Sequence, residues 1–171
     1  LKLMKRRYLR NVYETRFEYI RKRIPNACVG SDVIVGFPGE DELEFTETYN
    51  FLKSIDISYL HVFSYSERSN TSSILLNKKV SKIIKNERSK ILRELSNSKK
   101  LEFYKKNVNN HHNVLFETEN KNGYIYGYTE NYVRVKSLWS NSKQNKILNC
   151  YLDGIDTDFN CIAEQAVELK V

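Results

Sequence analysis

Residues 29–45 read VGSDVIVGFPGEDELEF. Val29–Val35 is a short, nearly continuous apolar run, the pattern of a strand buried on both faces as in a parallel sheet. Gly36-Phe37-Pro38-Gly39-Glu40 then turns the chain. Glu40, Asp41, Glu42 and Glu44 suit the positive end of a helix that should follow over about 41–54. Phe45, Thr48, Tyr49, Leu52 and Ile55 would share its buried face. A second strand follows at about 59–65. Strand–helix–strand with short links is a βα repeat, and right-handed crossover makes the two strands parallel neighbours. The links 36–40 and 66–71 then lie at the carboxyl end of the sheet, where ligands of α/β folds bind. Two strands cannot close a barrel, so the rest of the sheet is expected upstream or in another chain.

The turn is not a phosphate loop, because G-x-x-x-x-G-K-[ST] requires a Lys and a Ser or Thr that are absent. Two readings stay open on chemistry alone. One is a tight turn, since Pro fixes φ and Gly tolerates positive φ. The other is a ligand loop, where glycine lets backbone approach a planar ligand and Glu40 accepts from hydroxyl or ammonium groups.

Upstream, Leu9, Val12, Tyr13, Phe17, Ile20 and Ile24 recur at three and four residues, which predicts a helix over about 5–24 stopped by Pro25 and Asn26. Downstream, 79–106 reads as a long polar helix with a break near Ser96-Asn97-Ser98. After the Asn- and His-rich run 107–113, short strands alternate with turns at 113–118, 123–136, 147–152 and 160–171. That is a small all-β barrel, with a domain boundary at 107. Within 123–136, Ile125, Gly127, Val133 and Val135 share one parity; Tyr124, Tyr126, Tyr128, Tyr132, Arg134 and Lys136 share the other. Alternation gives one small apolar face and one face of tyrosines ending in cations. Rings with cations hold single-stranded nucleic acid on small barrels, and packing against the first domain is the alternative.

The chain has 171 residues, 40% of them hydrophobic, enough for one domain or two small ones. Nothing approaches the roughly 20 apolar residues of a membrane span, so no membrane partner is expected. The first residue is Leu1, which reads as an internal piece of something longer. Residues 1–110 hold 22 Lys and Arg against 13 Asp and Glu, whereas 111–171 hold 6 against 8. Lys2, Lys5, Arg6, Arg7, Arg10, Arg16, Arg21, Lys22 and Arg23 crowd the start. They favour nucleic acid as a partner, against the alternative of a solvated helix face. Cys28, Cys150 and Cys161 form no C-x-x-C pair and read as reduced, buried thiols in a cytosolic protein, not as metal ligands. His111-His112 reads as a solvated loop.

DVIVGFPGE (32–40) followed by LHVFSYSER (60–68) resembles the fifth and sixth strands of radical S-adenosylmethionine barrels, and within them the tRNA methylthiotransferases. MKRRY (4–8), IPNACVGSDVIVGFPGE (24–40), LHVFSYSERSNT (60–71), ERSKILRELS (87–96) and GYTENYVRV (127–135) stand in that family's order. Together they span nearly the whole chain. FSYSER with YTENYVRV is similar to the subgroup acting on N6-threonylcarbamoyladenosine beside the anticodon. The resemblance implies α/β followed by all-β: the C-terminal part of a radical S-adenosylmethionine partial barrel over 1–106, then a TRAM barrel over 107–171. It implies that Gly36, Pro38, Gly39, Glu40, Val62, Ser64, Tyr65, Ser66 and Arg68 line the S-adenosylmethionine site. Tyr132, Arg134 and Lys136 would meet the tRNA anticodon stem-loop. On that reading Gly39→Val would abolish cofactor binding at little cost in stability.

The resemblance also implies a cytoplasmic enzyme with two [4Fe–4S] clusters. The C-x-x-x-C-x-x-C triad is absent from this sequence, so both clusters are expected on missing N-terminal domains of the same protein, with no catalytic residue here. The piece alone should be inactive. Where the family has Arg-Pro-Gly-Thr this chain has Arg68-Ser69-Asn70-Thr71, which puts the rigidity of that loop in question. A stand-alone RNA-binding module without catalysis is the alternative function.

Overall fold

The computed structural model describes residues 4, 6, 9–69 and 71–168. Lys2, Lys5 and Arg7 of the basic cluster, Tyr8 of MKRRY, Asn70, and 169–171 of the last expected strand lie outside the described residues. The chain divides into two units, Leu1–Lys100 and Leu101–Val171.

The first unit runs α1 (Arg10–Arg23), β1 (Gly30–Val35), α2 (Glu42–Ser54), β2 (Tyr59–Ser64) and most of α3 (Lys82–Lys105), with a 3₁₀ turn at Ser72–Leu75. β1 and β2 pair in parallel, Gly30 opposite Tyr59 through Val35 opposite Ser64, as the βα repeat predicts. Asp41 caps α2 by accepting from the Glu44 N–H at 3.0 Å. The core joins Phe17 of α1, Val33 and Val35 of β1, Phe45 and Leu52 of α2, Leu60 of β2, and Leu92 and Leu95 of α3.

Three expectations change here. α1 starts at Arg10, not near residue 5, with Leu9 extended and exposed. Residues 5, 7 and 8 of the expected span lie outside the described residues, and Tyr13 and Phe17 make the inward contacts of the described helix. β1 is not buried on both faces: Ser31, Val33 and Val35 are buried, whereas Asp32 is exposed and Gly30 and Ile34 are half-covered. The opposite face of β2 is equally open at His61 and Phe63, since all three helices contribute to the one core. Lastly, α3 passes through Ser96-Asn97-Ser98 unbroken. The Ser96 hydroxyl is spent outside the helix, accepting from Leu60 N–H at 2.8 Å and donating to Leu60 C=O at 3.0 Å. Ser98 donates back to Glu94 C=O at 3.2 Å.

The second unit is a closed barrel of β3 (His111–Phe116), β4 (Tyr124–Thr129), β5 (Arg134–Leu138), β6 (Ile147–Ile155) and β7 (Cys161–Glu168), in the order β3-β4-β5-β7-β6. All its pairings are antiparallel except β5 with β7. Val114, Phe116, Ile125, Val133, Val135, Leu148, Cys150, Leu152 and Cys161 fill the inside. Burial pushes the Cys150 thiol up to about 11 and the Cys161 thiol up to about 12, as expected of thiols serving as small hydrophobes.

The stretch read as one strand over 123–136 is a hairpin. Thr129 N–H donates to Val133 C=O at 3.0 Å and the Thr129 hydroxyl accepts from Val133 N–H at 2.8 Å, with Tyr132 at φ 65°. The two faces survive this error because Tyr128 lies opposite Arg134 and Tyr126 opposite Lys136, so the turn conserves parity. His111-His112 is strand, not loop. His111 faces out and shares a hydrogen bond with Asn149 at 2.9 Å, while His112 is buried and meets Glu130 at 3.3 Å.

Candidate functional site

The first candidate is the carboxyl end of β1 and β2. Gly36 and Gly39 both hold positive φ, 74° and 94°. At Gly36 the reason lies inside the chain: a Cβ there would strike Cγ of Lys85 from α3. Gly39 N–H donates to Lys78 C=O at 3.0 Å. At φ 94° any side chain strains the backbone, so Gly39→Val would carry a stability cost that the sequence reading left out.

Glu40 closes the turn on itself. Its Oε1 accepts from Gly36 N–H at 3.0 Å and from Arg88 Nη1 at 2.8 Å, and Arg88 Nη1 also donates to Glu40 C=O at 2.9 Å. Arg88 is buried, its guanidinium over the Phe45 ring at 5.0 Å. Oε2 of Glu40 has no protein donor among the described residues, and Glu40 lines a cavity of about 340 Å³ together with Tyr13, Ser31, Phe37, Pro38 and Gly39.

Of the nine residues expected around the cofactor, Pro38, Gly39 and Glu40 line this cavity and the other six do not. Tyr65 reaches the turn by another route, its ring edge-on to Phe37 at 5.1 Å and its carbonyl taking Lys85 Nζ at 3.2 Å. Ser64 shares a hydrogen bond with Ser89 of α3 at 2.8 Å. Val62 packs on the core. Ser66 and Arg68 are exposed, and the Arg68 carbonyl takes both the N–H and the hydroxyl of Thr71, at 3.2 and 2.9 Å. Those two bonds restrain the loop without the Pro and Gly of the family pattern. Lys85 and Arg88 were missed by the sequence reading. Arg88 stands in the quoted ERSKILRELS segment (87–96) and Lys85 two residues before it, but nothing local says which face of that helix meets the turn.

The rings of Tyr13, Phe37 and Pro38, a glycine-shaped backbone at Gly39 and the carboxylates of Asp32, Glu40, Glu44 and Glu47 line the cavity, a chemistry compatible with one wall of a site for S-adenosylmethionine, whose sulfonium and ammonium groups are cationic. An iron–sulfur cluster does not fit: among the described residues no three His, Cys, Asp or Glu side chains gather to hold a metal.

The second candidate is the outer face of β4 and β5. Arg134 lies between the rings of Tyr128 and Tyr126, at 4.7 and 5.1 Å, and Lys136 lies over Tyr124 at 4.4 Å. Tyr132 is 72% exposed and tilts against Tyr128 at 5.9 Å. Neither cation is bare. Arg134 makes a two-pronged pair with Glu117 at 2.8 and 3.3 Å, and Lys136 pairs with Asp156 at 3.0 Å. Burial works against the Arg134 charge, but Glu117 and Tyr128 outweigh it and hold the guanidinium more firmly protonated. Asp156 raises Lys136 in the same way. Burial favours the neutral form of Asp156, yet the backbone bond from Asn160 and the Lys136 ammonium carry its carboxyl below the usual range. The α1 cations are likewise partly committed: Arg10 to Glu47 at 3.0 Å, Arg21 to Asp56 at 2.8 Å. Counting cations along the sequence therefore overstated the charge free to meet a polyanion.

No family profile matches the chain. It is 45% identical over 136 residues to a threonylcarbamoyladenosine tRNA methylthiotransferase of Aquifex aeolicus, covering 80% of this chain and 32% of that protein. Over four fifths of its length the chain is similar to a tRNA methylthiotransferase. The namesake of Bacillus subtilis is 41% identical over 140 residues, 79% of this chain and 31% of that protein. A tRNA-2-methylthio-N(6)-dimethylallyladenosine synthase of Syntrophus aciditrophicus is 35% identical over 149 residues, 87% of this chain and 30% of that protein. The chain thus spans about a third of the length of the curated relatives it matches. Among its described residues, no helix is long and apolar enough to cross a membrane.

Proposed function

We propose that this chain is part of a cytoplasmic enzyme that adds a methylthio group to C2 of N6-threonylcarbamoyladenosine, next to the anticodon of tRNA. The observation that carries this reading is the 45% identity to a relative named for that substrate, against 35% to the relative named for dimethylallyladenosine. In this reading 1–106 is the C-terminal part of a radical S-adenosylmethionine barrel and 107–171 a TRAM barrel. S-adenosylmethionine, when bound, supplies the radical chemistry and the methyl group. The chain's own part is to bind and to exclude water. Pro38 and Gly39 would shape one wall of the site, and Oε2 of Glu40 would take an ammonium or hydroxyl proton. Gly36 at the end of β1, and Val62, Ser64, Tyr65, Ser66 and Arg68 on and after β2, would belong to the same cofactor site although none of them lines the cavity itself. Tyr132 would stack on RNA, with Arg134 and Lys136 beside it on the anticodon stem-loop. The two clusters, with their cysteines, would come from N-terminal domains of the same protein.

The test is a strain lacking the gene that encodes this protein. Its bulk tRNA, digested to nucleosides and read by mass spectrometry, should retain N6-threonylcarbamoyladenosine and lose its 2-methylthio derivative, with return on complementation. An unchanged 2-methylthio derivative would overturn the assignment. Loss of the 2-methylthio dimethylallyl nucleoside instead would move the enzyme to the sister substrate.

A further inference from the structure

The Gly36–Glu40 turn is held from outside by α3. Residues 85 and 88 are three apart and so share a face of the helix. Lys85 fills the space beneath Gly36 and reaches the Tyr65 carbonyl; Arg88 takes both the carbonyl and the carboxylate of Glu40. Arg88 also meets Glu42 at 3.2 Å, but that partner is 81% exposed, and solvent screens the pair. A buried ion pair is a weak way to stabilise a fold, since replacing both partners by apolar side chains of similar volume often does as well. Here the case is sharper, because Nε of Arg88 is buried with no hydrogen-bond partner among the described residues. A residue selected for stability alone would not leave that donor empty. What only Arg88 supplies is a fixed carboxylate: it holds Oε1 of Glu40 against Gly36 N–H, in a residue that lines the cavity.

We propose that Arg88 is a positioning residue, which acts through Glu40 to hold the Gly36–Glu40 turn in its ligand-receiving shape. This rests on the turn being the cofactor wall proposed above. Nothing about Arg88 itself needs to touch the cofactor.

The test uses three proteins, wild type, Arg88→Met and Arg88→Lys, each as the full-length protein, with two independent readouts. The first is amide hydrogen exchange. In Arg88→Met, exchange at Gly36 should rise by on the order of tenfold, because the carboxylate that accepts from it is no longer oriented. The melting temperature should fall, because Glu40 is left without its cation, but exchange at Val33 and Val35 should rise no more than that global loss accounts for. Arg88→Lys, which keeps the charge but lacks the planar fork, should fall between. The second readout is S-adenosylmethionine affinity by calorimetry, expected to weaken about tenfold in Arg88→Met and less in Arg88→Lys. Unchanged Gly36 exchange would overturn the positioning role. So would faster exchange with unaltered affinity, since the turn would then move without consequence for the ligand. A rise at Gly36 no larger than at Val33 and Val35 would make Arg88 a structural residue only. If wild type itself does not bind S-adenosylmethionine, the cofactor reading fails while the exchange data still decide whether Arg88 holds the turn.

Discussion

Glu117→Gln should make RNA binding tighter and more salt-sensitive. Glu117 sits on β3's outgoing end and holds Arg134 through two hydrogen bonds, at 2.8 and 3.3 Å, with the two side chains 38% and 22% exposed. Glutamine preserves the size and one acceptor, so the Arg134 guanidinium keeps its place between Tyr126 and Tyr128. What changes is a single negative charge on the tyrosine face. For single-stranded RNA each phosphate neutralised adds roughly 0.7 to the slope of log affinity against log salt. If the two proteins converge at 1 M salt, that increment makes the variant tighter by about eightfold at 50 mM and about threefold at 200 mM. Fluorescence anisotropy with an anticodon stem-loop, titrated across that range, measures both the slope and the spacing of the curves. A control comes from Arg134→Gln/Glu117→Gln, which removes the pair as a neutral unit and should keep the wild-type slope. Wild-type slope and affinity in Glu117→Gln would refute the reasoning, because Arg134 would then not be the cation that RNA meets. A shallower slope in the double variant would mean that Arg134 already bonds phosphate despite its partner.

Gly39→Ala should lower stability by about 1–2 kcal/mol through its positive φ alone, read as a shift in urea midpoint at constant m. Lys99, buried, donates from Nζ to the carbonyls of Lys53 and Ile55 at 2.7 and 2.8 Å, at the end of α2. Lys99→Met should therefore cost about 2 kcal/mol in the same assay, even though it adds apolar surface to a buried position. Asp156 has its carboxyl depressed below 3.8, so its contribution is complete above that pH and is lost as pH falls through the lower folded value. Asp156→Asn should accordingly melt below wild type at pH 7, with the difference closing progressively under acid as the wild-type carboxyl takes up its proton.

The βα repeat was legible because its signals are local and agree: an apolar run, a glycine–proline turn, acidic residues at a helix start. The inner and outer faces of the barrel hairpin were legible too, since Ile125 and Val135 differ so plainly from Tyr126 and Lys136. The hairpin itself was not, because Tyr132 occupies a left-handed position where Gly or Asn would have announced a turn. The serines of α3 misled for a related reason. A helix-breaking reading assumes that the hydroxyl competes with its own backbone, and Ser96 instead bonds a strand. At the site, composition marked Glu40 as acidic and Arg134 as basic, but ion pairing is a relation between distant residues. Glu40 with Arg88 and Arg134 with Glu117 are 48 and 17 positions apart. No window of sequence contains that information.

The Ser96 hydroxyl also decides how the small sheet can be extended. In a parallel ladder the N–H and C=O of one residue point to the same side, so a residue that bonds outward faces the sheet's margin. Leu60 is such a residue, and both of its groups are taken by Ser96. A newcomer strand is thereby turned away from β2 at Leu60, whereas among the described residues no strand lies on the other flank of β1. Made by itself and concentrated, such a molecule would offer β1 before β2 to a partner. Two copies meeting β1 to β1 would use the margin that each offers first, which favours a closed pair over a fibre.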